Sequence, residues 1–135
     1  MNLNEARTAI YCRMLDSYTG VDRSLITFDN ENFDEPIDIP WVRLTVRHSV
    51  RVQSTLGHSA NRRFRTRATV FIQVYTKANG GTLEGDGLST EAADIFEGFS
   101  FSGLDFGATT IVETGVSGKW YQHLVECRFD YDEIK

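Results

Sequence analysis

The spacing of apolar residues predicts that the chain opens on a helix. Over Asn2–Tyr18, Leu3, Ala6, Ile10 and Met14 recur at helical intervals, with Tyr11 and Tyr18 at the edge of the same stripe. Asn2 or Asn4 can cap its start, and Gly20 suits the position just past its end. Leu25–Phe28 is a short strand-like run. Residues 29–40 are acidic and turn-rich and hold Pro36 and Pro40, which predicts an ordered surface loop. From Trp41 to Val52 the pattern alternates. Val42, Leu44, Val46, Val50 and Val52 fall on one side, and Arg43, Thr45, Arg47, Ser49 and Arg51 on the other. The first set is expected in the core, the second in water or against a partner.

Gln53–Arg63 holds Gly57 and small polar residues and reads as a loop between two long strands. The second strand is Phe64–Lys77, with Phe64, Ala68, Val70, Ile72 and Val74 on one parity and Arg65, Arg67, Thr69, Phe71, Gln73 and Tyr75 on the other. The two strands suggest an extended hairpin with arginines on its outward face and tip. Asn79-Gly80-Gly81 is a turn. A second helix follows, with Thr82 and Asp86 as rival caps, Leu88, Ala92, Ile95 and Phe99 as its apolar face and an end near Gly98. Leu104–Phe106 is short and extended. Ile111–Glu113 and Trp120–Tyr131 read as strands joined through residues 115–118. This order predicts an α+β domain: a mainly antiparallel sheet, two helices packed on one face and a long Arg-rich strand pair.

Composition adds bounds to this picture. A chain of 135 residues suits one domain, and a 41% apolar fraction with nine Phe supplies a core. Cys12 and Cys127 lack metal-ligand spacing, so the reading is two buried, reduced thiols, with a disulfide between the ends of the domain as the alternative. The first residues lack the basic and apolar regions of a signal peptide, and no apolar run approaches a membrane span. The expected place is a cytoplasm, or particles assembled there, with no membrane partner.

Charge changes the picture most. The net charge is −5, yet residues 39–83 contain no Asp or Glu. They hold Arg43, Arg47, Arg51, Arg62, Arg63, Arg65, Arg67 and Lys77, so all 19 acids face only six cations in the rest of the sequence. Such segregation favours oriented, complementary contacts. Arginine also suits protein faces because its planar fork pairs with carboxylates at two points. The competing readings are a solvated sheet face and a nucleic-acid module built on Arg62, Arg63, Arg65 and Arg67. Asp29, Glu31, Asp34 and Glu35 form an acidic cluster without the central glycine of a calcium loop, so it reads as a partner-facing or solvated loop. His48, His58 and His123 are far apart and read as surface or interfacial histidines. No GxSxG, Walker-type loop, HExxH or GxGxxG-helix motif occurs. Neither an enzyme nor a cofactor or metal site is expected.

Three segments resemble the tail terminator family of long-tailed bacteriophages, in the branch related to the lambda tail terminator. The first is Ile26-Thr27-Phe28-Asp29-Asn30-Glu31-Asn32-Phe33 with Pro36 and Pro40-Trp41-Val42-Arg43. The second is Gly57, the Arg-containing strand, Gly80-Gly81 and Ala92-Ala93-Asp94-Ile95. The third is Gly118-Lys119-Trp120-Tyr121-Gln122 with Phe129-Asp130-Tyr131. The resemblance runs from residue 5 to residue 131 and implies a structural virion protein, not an enzyme. Such proteins form a hexameric ring on the tail tube, stop its polymerisation and offer a surface to the head-tail connector. They assemble in the host cytoplasm, and DNA passes through the lumen without being read. An acidic lumen would fit that passage, with the 29–35 loop and the 84–97 helix face as its candidate lining. The alternative within the same setting is a head-completion or other neck or minor tail protein.

Overall fold

The computed structural model describes residues 1–58 and 60–135. Helix α1 spans Leu3–Ser17. Asn2 caps it in both directions: its Oδ1 accepts from the Glu5 amide at 2.9 Å and its Nδ2 donates to Glu5 Oε1 at 2.8 Å. Ala6, Ile10 and Met14 are buried, but Leu3, expected in the same stripe, is half exposed because it lies in the first turn, beyond the core. Gly20 is not needed for a left-handed end. A Cβ there would lie 2.5 Å from Leu88 Cδ2, so the glycine lets the chain pass close beneath the second helix.

After a 3₁₀ turn at Arg23–Leu25, β1 (Ile26–Phe28) pairs in parallel with β2 (Trp41–Gln53). Parallel neighbours need a crossover of roughly a dozen residues, and residues 29–40 supply it. The expectation of a mainly antiparallel sheet is therefore corrected to a mixed one. β3 (Arg63–Lys77) lies antiparallel to β2, and α2 (Leu83–Phe96) follows. β4 (Ser100–Phe101), β5 (Leu104–Ser117) and β6 (Trp120–Ile134) complete an α+β fold with sheet order β1-β2-β3-β6-β5-β4. β5 is one strand rather than two short ones. Its irregularities at Phe106/Thr109 and Glu113/Gly115 break the alternation that would have marked it.

The core joins the buried residues of α1 and α2 to the even side of β3 and the odd side of β6. α2 buries Leu88, Ala92 and Ile95 as expected, together with Phe96. Phe99 lies past the helix end and is half exposed. Neither helix is long and apolar enough to cross a membrane.

Alternation in β2 is corrected after residue 48. His48 faces Ala68, but the next paired residue, Val50, faces Arg67, so Ser49 is a bulge. An extra residue exchanges the faces of everything beyond it. Arg51 consequently stands opposite Thr66 on the core side, while Val50 and Val52, expected in the core, are 50% and 54% exposed. The β2–β3 connection spans residues 54–62, within the expected 53–63 loop, and of these Ser59 lies outside the described residues.

The two thiols differ. Cys127 is buried on β6, and burial pushes its thiol up to about 12, with the Glu97 charge adding to the shift. Cys12 is exposed on α1, contrary to the expectation of two buried thiols, because it lies off the buried helical stripe. At pH 8 the native protein should give one fast equivalent with a thiol reagent, from Cys12. Cys127, with only about 10⁻⁴ of its thiol ionised, should react only on unfolding. Two fast equivalents would contradict this placement.

Candidate assembly interface

Five of the expected interface arginines lie on the sheet side that carries the odd-numbered residues of β3: Arg43 and Arg47 from β2 and Arg63, Arg65 and Arg67 from β3. Arg128, Asp130 and Asp132 of β6 stand on the same side. Arg51 is turned to the other side by the bulge, and Arg62 precedes β3.

Much of the arginine band is answered within the chain. Arg65 pairs with Asp130 at 3.2 Å and reaches Asp132 at 4.0 Å, and Arg63 lies 3.9 Å from Asp132. Arg51 pairs with Glu133 and donates to Thr66 Oγ1 at 2.7 Å. These contacts tie β2 and β3 to β6. Pairs this exposed contribute roughly 0.2–1 kcal/mol each and set register more than stability.

The acidic segment is also held by its own chain. Asp29 Oδ2 accepts from the Val46 amide at 3.1 Å and pairs with Arg47 at 3.3 Å and Arg7 at 3.5 Å. Glu31 accepts from the Phe28 amide at 3.1 Å, and Glu35 accepts from Trp120 Nε1 at 3.4 Å. An aromatic stack fixes the far end of the segment: Trp41 lies 4.1 Å from Tyr75 and 4.9 Å from Phe33, with Trp120 edge-on at 6.2 Å. Among the described residues, Asp34 makes no side-chain hydrogen bond or ion pair.

A smaller positive set remains. Among the described residues, Arg43, Arg62, Arg67 and Arg128 make no ion pair. Arg43 lies over the Trp41 ring at 5.4 Å, and Arg62 donates from Nε to the Lys135 carbonyl at 3.1 Å. Exposed apolar residues gather near Arg62 and Arg67, at the far end of the β2–β3 pair: Val50, Val52, Ile134 and Leu56, the last 97% exposed. On α2, Glu84, Asp86 and Asp94 are exposed, as is Glu97 at its C-cap, with no basic residue in the last turn. The surface therefore offers two unlike patches, one cationic and partly apolar, the other anionic.

One group was missed in the sequence. His123, expected at a surface or interface, is 0% exposed on the core side of β6. Its Nε2 lies 2.9 Å from Asp86 Oδ1 in the first turn of α2, while its Nδ1 has no hydrogen-bond partner among the described residues. Glu113 faces His123 across the β5–β6 pairing. Gly85 makes the approach feasible, since a Cβ there would lie 2.3 Å from His123 Cε1. The glycine pair at the helix start was the one legible sign; the separations among residues 86, 113 and 123 carried none.

No protein-family model and no curated protein matches the chain. A solved structure with 15% sequence identity aligns with a TM-score of 0.65 over 100% of this chain and 96% of the other. At that identity the likeness shows the fold alone.

Proposed function

We propose that the chain is a structural virion protein, a tail terminator that closes a phage tail tube as a homo-oligomeric ring, hexameric by resemblance. In this reading the two helices form one layer, and the β2–β3 pair is an arm toward the neighbouring subunit or the tube. The observation that carries it is the pair of unlike patches left after internal pairing. A ring uses a head-to-tail contact between two different surfaces of one subunit. The Arg62/Arg67 end of the sheet and the acidic face of α2 are complementary in sign and lie on different elements. The ordered motifs of the tail terminator resemblance supply the setting, with the tube protein on one side and the head-tail connector on the other.

Particle mass at micromolar concentration, with and without tube protein, tests the reading. Rings or tube-capping particles are the expected result, and a strict monomer that never joins tubes sinks it. Reversing two unpaired charges, Arg62→Glu with Arg67→Glu, should abolish ring formation while shifting Tm by less than about 2 °C, because exposed charges contribute little to folding. Tails made without the protein separate the alternatives: overlong tails indicate a terminator, whereas headless tails of normal length indicate a joining protein. A nucleic-acid module predicts DNA affinity that falls steeply with salt.

A further inference from the structure

We propose that Asp86, Glu113 and His123 form a binding site for a borderline divalent cation, of which zinc is the type. The three residues come from α2, β5 and β6, and one ligand atom of each lies within 4.8 Å of the others. His123 is the anchor. Its ring is fully buried, held by the core and by the edge-on ring of Tyr121 at 5.4 Å. Its Nε2 already lies 2.9 Å from Asp86 Oδ1 and is the nitrogen that would take the ion. The two carboxylates are exposed and can move, and both reach toward the fixed imidazole from different elements.

The distances fit such an ion after a small adjustment. Zinc binds imidazole nitrogen at about 2.0–2.1 Å and carboxylate oxygen at about 2.0–2.2 Å. Ligand atoms on one four-coordinate ion lie roughly 3.4 Å apart, so atoms now as much as 4.8 Å apart must close by about 1–1.5 Å through rotation of the exposed carboxylates. One nitrogen and two carboxylate oxygens form a mixed donor set that suits zinc, cobalt or manganese better than magnesium, which prefers oxygen and water. Three protein ligands leave room for a solvent molecule as a fourth. Two local features serve the arrangement. Gly85 leaves space for the imidazole against the helix start. The irregularity at Glu113/Gly115, with Gly115 at φ 91°, re-aims the β5 edge beside Glu113. A bound ion would fasten the start of α2 to the β5–β6 pair. This site does not depend on the ring reading.

The test uses the full chain stripped with a chelator and titrated with zinc or cobalt(II) by calorimetry, alongside the cobalt visible spectrum. One equivalent should bind with a Kd near the micromolar range, and excess zinc should raise Tm by several degrees. Asp86→Asn and Glu113→Gln retain shape and should each weaken binding at least tenfold and remove the cobalt band. Excess magnesium should not compete. Absence of stoichiometric binding would overturn the proposal. So would binding unchanged in both variants, which would place the ion at another histidine.

Discussion

Replacing Trp41 by alanine should lower the unfolding free energy by about 3–5 kcal/mol, the range for removing a buried aromatic side chain. Trp41 is 1% exposed at the start of β2, yet it stands opposite Tyr75, on the sheet side away from the even-numbered residues of β3 that join the core. Its burial comes from Tyr75 beneath it, Phe33 above it and Trp120 edge-on. Removing the indole takes away the platform on which Phe33 rests. The 29–40 segment would then be held mainly by Asp29 and Glu31 near β1 and by exposed pairs such as Lys77–Asp38 at 3.7 Å. The variant should therefore show both a lower urea midpoint and faster proteolysis within residues 32–38 of the native protein. Trp41→Phe provides the contrast. It keeps a ring in the stack and removes an indole N–H that has no hydrogen-bond partner among the described residues, so its loss should stay below about 1.5 kcal/mol. Equal midpoints for the two variants would mean that the stack does not hold the segment.

The same residue shows where the sequence was legible. Local chemistry could be read directly: the Asn2 cap, the β2 alternation up to residue 48 and the paired parity of β3 all depend on neighbours within a few positions. The bulge at Ser49 could not be read, because no glycine or proline marks it and the hydrophobic pattern continues through it. Its consequence was large, since it turned Arg51 inward and Val50 outward. The acids that answer the arginines were equally hidden: Arg65 and Asp130 are 65 positions apart, and only the β3–β6 register brings them together. The charge segregation was real in sequence but is partly neutralised in space. What remains is a smaller cationic patch, and this sharpens which arginines an assembly experiment should change.

Gly85→Ala is expected to lower stability by about 2 kcal/mol, opposite in sign to the usual effect of removing glycine from a helix. At an unstrained helical position, alanine gains about 1 kcal/mol over glycine. Gly87 is such a position: nothing lies within 4 Å of a Cβ built there, and Gly87→Ala should raise Tm by a few degrees. At Gly85 the new methyl would meet the His123 ring at 2.3 Å from Cε1 and 2.6 Å from Nδ1. That ring cannot retreat, because it is fully buried and sits opposite Val74 on β3. Overpacking of this kind typically costs about 1–3 kcal/mol, enough to outweigh the helical gain when the neighbour is rigid. The attribution to His123 is separable from a general disturbance of the helix start. In a His123→Ala background the added methyl enters vacated space, so Gly85→Ala should there be neutral or stabilising. The double-mutant cycle should show a coupling of about 2–3 kcal/mol between the two positions, well above the near-additivity expected of distant sites. Additive effects would mean that the glycine serves the backbone alone and that the close approach of α2 to the imidazole is not what selects it.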